Sequence, residues 1–319
     1  MAKAKLCLGI DLGGTDCKFG LVDEAGTIVR QIKHPTNLSG GPDGTLDSIA
    51  AQAKDLIGSD SVVSIGMGVP GPMSSREGVV YEAPNLKGWV NVPVKKLLEE
   101  KLGIPVALSN DANAAAWGEY WVGAGRDVQS MILFTLGTGV GGGIVLNGEL
   151  YCGPDDTAGE LGHMIINFDG PVCGCGSRGC LEAYASATAM RRAVVAGIAA
   201  GIKTRINIPQ GEETTFGTRA IYDAAEQGDV FAVEVFRQAG FALGIGAANV
   251  INIFNPEMIC YGGAVTNAGE WIFGPLRATA SANAFNKPAS RAKIVRAALG
   301  NDAGLIGAAG LALRDKTLS

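Results

Sequence analysis

Short apolar runs separated by glycine and aspartate open the chain. Residues 5–10, 17–22 and 27–33 read as strands joined by turns at 11–15 and 23–26, since such runs bounded by turn residues are strand punctuation. The period then changes, and Leu46, Ile49, Ala53, Leu56 and Ile57 recur at helical spacing. A buried strand is expected at 62–69, a short helix at 94–102 and a strand at 105–109. An alanine-rich helix over 111–121 begins at Asn110-Asp111.

The pattern restarts at residue 130. An apolar strand over 130–136 meets a glycine turn at 137–142, and 143–146 returns as a strand and turns again across Asn147-Gly148. Strand, glycine turn, strand, hairpin repeats the order of residues 5–33, which predicts a duplicated architecture without a duplicated sequence. The second half becomes mainly helical, with helices expected at 185–200 and 229–254; the latter carries Val230, Val233, Phe236, Phe241, Ile245, Val250 and Ile253. A strand at 258–261 ends on Gly262-Gly263, and a late strand at 293–296 precedes a final helix at 304–313. No low-complexity linker divides the chain. The expectation is two α/β lobes meeting at a cleft: a small lobe over 1–117, joined by a helix at about 303–319, and a large lobe over 118–302.

A length of 319 residues suits two domains. With 47% apolar and 18% charged residues the chain is globular, and 47 glycines, about twice the usual share, imply many tight turns and close backbone approaches. A net charge of −5 offers no basic patch for nucleic acid. No apolar run approaches the ~20 residues of a membrane span, and the first residues lead into a strand rather than an export signal. Seven cysteines, an odd number, fit a reducing cytoplasm better than a disulfide scaffold.

The chemistry concentrates in GELGHMIINFDGPVCGCGSRGCLE, which holds His163, Cys173, Cys175 and Cys180. One imidazole and three thiolates make a full tetrahedral zinc set, structural because no position stays open. The alternative is a few buried thiols near a surface histidine. Only two histidines occur in the chain, and one of them lies here. Glu160 precedes His163 by one helical turn and Glu182 follows Cys180 by two residues, so a metal pinning the backbone would also aim two carboxylates at a polar substrate.

Asp11-Leu-Gly-Gly-Thr15 lies between two expected strands. Its glycines let amides approach a phosphate, Thr15 offers a hydroxyl and Asp11 suits a metal ion or its water; an ordinary hairpin turn uses the same residues. In Leu136-Gly-Thr-Gly-Val-Gly-Gly-Gly-Ile144, Gly137, Gly139 and Gly142 match the dinucleotide fingerprint, but a strand and not a helix follows, which argues against that site. Two glycine turns at equivalent places of a duplicated pattern suit the gripping of one polyphosphate. Asn110-Asp111 is either a helix cap or a carboxylate placed to accept a proton from an attacking hydroxyl. Asn85, in APNLKGW, is a turn residue or a substrate ligand. Gly262-Gly263 suits a plain turn or passage beneath an adenine ring, while Asp302 and Gly304 suit the start of the last helix.

Together these motifs resemble the sugar kinases of the bacterial ROK family, on the side of its glucokinases. The resemblance covers essentially the whole chain and rests on DLGGT, Asn110-Asp111, LGTGVGGG, GELGH, CGCGSRGCLE and GGAV. It implies a duplicated actin-like (ribonuclease-H-like) ATPase fold, with two lobes around a cleft that close on ATP and sugar. It further implies that Asp111 is the base toward the 6-hydroxyl of glucose, and that Asn85, Asn110, Glu160, His163 and Glu182 hold the other hydroxyls. Asp11, Gly13, Gly14, Thr15, Gly137, Thr138 and Gly139 would face the phosphates and Mg²⁺, with Gly262 and Gly263 also on the nucleotide. His163 would serve twice, with one nitrogen on zinc and the other toward sugar.

One departure stands out: Asp16-Cys17 follows DLGGT where the family commonly has a basic or amide residue and then an aliphatic one. The added carboxylate either weakens nucleotide binding or points to solvent. Other members phosphorylate N-acetylmannosamine, N-acetylglucosamine, fructose or allose, or use polyphosphate, though the cysteine cluster matches the ATP-using branch better. Still others are sugar-sensing repressors with a DNA-binding region ahead of the first turn, whereas ten residues precede Asp11 here. A homodimer or dimer of dimers is the expected assembly.

Overall fold

The computed structural model describes residues 5–83 and 85–315. The chain forms two compact units, Met1–Gln129 with Gly143–Gly159 and Ala298–Ser319, and Ser130–Gly142 with Glu160–Ala297. Residues 118–129, 143–159 and 298–302 therefore accompany the first unit, where the sequence suggested boundaries at 117/118 and 302/303. Part of the helix expected at 303–319, residues 316–319, lies outside the described residues.

The first unit starts with β1 (Leu6–Leu12), β2 (Asp16–Asp23) and β3 (Ile28–Pro35), followed by α1 (Gly41–Ile57) and β4 (Val62–Val69). Short strands β5 (Met73–Ser74), β6 (Val79–Glu82) and β7 (Val90–Val92) make a separate small sheet before α2 (Val94–Leu102), β8 (Val106–Asn110) and α3 (Asp111–Trp121). Along β1 the side chains alternate between two covered faces. Leu8, Ile10 and Leu12 join Phe19, Leu46, Ile65 and Met67 in one core, whereas Cys7 faces a second core. Both faces being covered explains why this strand is apolar as far as Ile10 rather than alternating.

After α3 come β9 (Met131–Leu136), β10 (Val140–Leu146) and β11 (Glu149–Leu150). The helical part holds α4 (Glu182–Ala185), α5 (Ala187–Ala199), α6 (Thr218–Glu226) and α7 (Val230–Phe254), then β12 (Met258–Gly262), α8 (Glu270–Asn283), α9 (Asn286–Ala289) and β13 (Lys293–Arg296). The chain returns to the first unit as α10 (Ala303–Arg314), whose Leu305, Ile306 and Ala309 form the second core with Cys7 and Val22. This helix seats by backbone contact: a Cβ on Gly66 would lie 1.8 Å from the Ala308 carbonyl oxygen, so only glycine fits.

The strand orders are β3-β2-β1-β4-β8 and β11-β10-β9-β12-β13, the same order with the same split between antiparallel and parallel neighbours. The duplication expected from the hydrophobic pattern is therefore present in topology.

Several expectations need correction. The helix expected over 185–200 is broken at Ser186, whose extended backbone and Oγ accepting from the Ala189 amide (3.0 Å) start α5 afresh. Both glycine turns are shorter than expected, since Asp11 lies in β1 and Val140 opens β10. Gly262, expected beyond a strand, is its last residue. Helix α7 is, by length and composition alone, apolar enough to cross a membrane, although Glu234, Arg237 and Gln238 interrupt its apolar run, as the sequence expectation had it. Its most apolar window is 56% buried and it packs against α4, α5, α6 and α8, which is the environment of a core helix.

Candidate active site

In the first unit, register places the chemistry on one edge. Asp11 of β1 pairs with Gly68 of β4, and Gly68 with Ser109 of β8. Asp11 and Asn110-Asp111 thus lie at the carboxyl ends of β1 and β8, the parallel strands on either side of β4, on the edge where open α/β sheets bind ligands. Gly68 leaves room there: a Cβ would stand 3.6 Å from Asp111 Cα. The cap of α3 falls to Asn110, whose Oδ1 accepts from the amides of Ala112 (2.9 Å) and Asn113 (3.3 Å). Asp111 is the first helical residue and is exposed, with Oδ1 accepting from Ala112 N at 2.8 Å.

The first turn, Gly13-Gly14-Thr15, is held from behind. Gly13 N donates to Asp16 O (2.9 Å), Thr36 Oγ1 donates to Gly13 O (2.7 Å) and Thr36 N to Thr15 O (2.8 Å). A Cβ on Gly14 would come within 3.2 Å of Asn85 Cβ, so exposed Asn85 stands against this turn. Asp11 sits under the first turn of α10, where a Cβ on Gly304 would lie 3.2 Å from its Cγ, and helix N-termini favour carboxylates. Lys18 Nζ reaches Asp11 Oδ2 at 3.2 Å and Asn301 O at 2.5 Å. Asp302 stands at the cap position of α10 without a side-chain cap hydrogen bond. The departure at Asp16-Cys17 has a clear placement: Asp16 pairs with Lys33 (2.8 Å) and Cys17 is buried in the core.

The second unit holds its turn, Gly137-Thr138-Gly139, differently. Ala187 N donates to Gly137 O (2.9 Å) and Thr188 Oγ1 to Thr138 O (2.8 Å). Val140 N donates to Glu182 Oε2 (2.9 Å), and Glu182 lies so close that a Cβ on Gly139 would be 2.4 Å from that oxygen. Gly263, with φ +91°, packs beneath the end of β9, where a Cβ would lie 2.2 Å from Leu136 O. That close approach alone requires glycine.

His163, Cys173, Cys175 and Cys180 converge as expected. Residues 164–167 pair with 179–181, through Leu181 N to Met164 O (2.9 Å) and Ile166 N to Gly179 O (2.9 Å), which brings His163 beside the cysteine loop. Their ligand atoms lie within 4.8 Å of one another. Cys175 Sγ is 3.7 Å from Cys180 Sγ, and Cys173 Sγ is 3.7 Å from His163 Nδ1. A tetrahedron with Zn–S bonds of ~2.3 Å has edges of about 3.8 Å, so the set fits zinc. The Ser177 amide draws exposed Cys175 down to about 7, whereas burial pushes Cys180 up to about 12; a bound metal would take the thiolates of both. His163 Nε2 points the other way, 3.9 Å from Glu160 Oε2.

The expected residues thus fall into two groups, each assembled within its own unit: Asp11, Gly13, Gly14, Thr15, Asn85, Asn110 and Asp111 in one, and Gly137, Thr138, Gly139, Glu160, His163, Glu182 and the cysteines in the other, with Gly262 and Gly263. Lys18, Thr36 and Thr188 escaped the sequence reading. Lys18 was in principle visible, because a tight turn at 13–15 puts it opposite Asp11 across the hairpin. The two threonines carry no local signal.

Such a duplicated sheet with a glycine turn after the first strand of each copy defines the actin-like (ribonuclease-H-like) α/β fold. The chain belongs to the ROK family, whose description matches residues 7–315. It is 39% identical to a glucokinase of Thermotoga maritima over 98% of both chains. It is 30% identical to the xylose repressor of Bacillus subtilis over 96% of this chain and 76% of that one. The crystal structure of a ROK family glucokinase from Streptomyces griseus in complex with glucose and AMPPNP has a TM-score of 0.83 and 36% identity, covering 97% of this chain and 99% of that one.

Proposed function

We propose that the chain is an ATP-dependent glucokinase, transferring the γ-phosphoryl group of ATP to the 6-hydroxyl of glucose. The observation that carries this is the position of Asp111. With Asn110 capping the helix, an exposed carboxylate stands at the carboxyl edge of the parallel strands, in the row that holds Asp11. A general base toward a sugar hydroxyl is the role such a carboxylate suits. The named relatives support glucose as acceptor and ATP as donor.

Asn85, Asn110, Glu160, His163 and Glu182 are assigned to the remaining hydroxyls. Asn110 would donate through Nδ2, because its oxygen serves the cap. His163 would face sugar through Nε2, with Nδ1 on the zinc side. The turns 13–15 and 137–139 are assigned to the phosphates, and Asp11, beside Lys18, to Mg²⁺, which would neutralise charge on the transferred group. Gly262 and Gly263 are assigned to the nucleotide. Zinc, when bound, supplies orientation only.

A coupled assay of glucose, N-acetylmannosamine, N-acetylglucosamine, fructose and allose, each with ATP and with polyphosphate, tests the reading. Glucose with ATP should give the highest kcat/KM. A higher value for another hexose, or for polyphosphate, overturns the assignment. The same reading includes a cytoplasmic location, in keeping with seven free cysteines, and a homodimer or dimer of dimers, measurable by light scattering.

A further inference from the structure

The cysteine cluster and the second glycine turn are joined by a short strut. Cys180, a member of the cluster, is followed by Leu181 and then by Glu182, the first residue of α4. Cys180 O accepts from Ala183 N (3.0 Å) and Leu181 O from Ala185 N (3.1 Å), so α4 begins directly on the cluster's backbone. Glu182 then reaches the turn with Oε2 on the Val140 amide (2.9 Å), while Oε1 lies 3.5 Å from Cys173 Sγ. Immediately after α4, Ala187 and Thr188 take the carbonyls of Gly137 and Thr138. Three hydrogen bonds therefore tie the whole turn to a segment of about seven residues anchored on the cluster. With both carbonyls turned back, the turn presents a fixed face to a ligand, and preorganised dipoles bind anions without reorganisation.

The geometry points to zinc controlling the nucleotide as well as the sugar: by fixing Cys180, the metal fixes Glu182 and the start of α5, and these hold the turn 137–139 in the shape that receives a polyphosphate. Glu182 is here a positioning residue for the turn. The inference rests on the kinase reading of that turn, and it concerns nucleotide affinity when no sugar is present.

The test uses the full chain, zinc-loaded or stripped by chelation and returned to Mg²⁺ without zinc, titrated calorimetrically with AMPPNP in the absence of sugar. Stripped protein should bind on the order of 10-fold more weakly, the scale of effects transmitted through groups around a metal. Glu182→Ala, which keeps all four zinc ligands, should bind AMPPNP comparably weakly while metal analysis shows zinc retained. Glu182→Gln keeps an acceptor for the Val140 amide and should restore wild-type affinity. Thr188→Val, at a residue not itself assigned to sugar, should weaken binding about 3- to 10-fold, the weight of one hydrogen bond. Equal AMPPNP affinity in wild type and in zinc-retaining Glu182→Ala and Thr188→Val overturns the inference, whatever stripping does to the fold. Zinc-loaded wild type that binds no AMPPNP removes the kinase reading itself.

Discussion

The two copies of the hairpin sheet share one strand order and differ in what stabilises them. In the first unit the glycine turn is held by Thr36 and the segment leading into α10 by Glu119, a fully buried carboxylate that accepts from the amides of Ala124 (2.9 Å), Ala298 (3.0 Å) and Leu299 (2.7 Å). In the second unit, Glu182, Ala187 and Thr188 do the holding, and the cysteine cluster stands behind them. Ordinary hydrogen bonds suffice where regular elements pack on both faces of a sheet. The segment 151–181 has little regular structure of its own beyond one turn of 3₁₀ helix, so four side-chain ligands replace the missing core. The difference teaches a division of labour. Duplication repeats the scaffold, and on the proposed reading the chemistry diverges through what each copy attaches to the ends of its strands: Asp111 in one, a metal-framed set of sugar ligands in the other.

Asp111→Ala breaks the comparison most severely if the division is right. kcat should fall ~10²–10⁴-fold with nucleotide affinity unchanged, as expected for a lost general base; steady-state kinetics with AMPPNP titration checks both halves. Glu119→Ala should cost about 2–4 kcal/mol by urea unfolding, because it orphans three amides in a buried site, and it should leave zinc content untouched. Cys175→Ser should instead lose zinc in metal analysis, lower the Tm and raise the glucose KM on the order of 10-fold. Asp16→Asn should be nearly silent in stability and in AMPPNP affinity, within about 0.5 kcal/mol, because its partner Lys33 is a solvent-exposed surface contact. A large effect there would show that the departure after DLGGT reaches the nucleotide after all.

Much of this was legible in the sequence for physical reasons. Helix α3 runs over the residues its alanine-rich pattern predicts, and β4 and β13 match their apolar runs. Ligand-type side chains crowded together signalled the cluster without any fold. What stayed hidden depends on tertiary partners. Strands β5, β6 and β7, of two to four residues, are too short to show a period. Helix α8 contains Gly274-Pro275, which reads as a break; Pro275 is accommodated because Gly240 of α7 offers it a side-chain-free surface. The cap could not be assigned between Asn110 and Asp111 from the pair alone, and that assignment decides how each can be used. Glu119 and Thr188 look like any exposed polar residue until the elements around them are in place.

The proposed split between a general base in the first unit, Asp111, and metal-framed sugar ligands in the second is tested most directly by single-turnover phosphoryl transfer, with rapid quench, at increasing glucose and saturating ATP. Cys175→Ser should approach the wild-type transfer rate as glucose rises, because its defect is in binding. Asp111→Asn should remain slow by ~10²-fold or more at every glucose concentration, because its defect is in the proton transfer. A wild-type rate for Asp111→Asn at saturating glucose, with Cys175→Ser slow at every glucose concentration, would contradict the account.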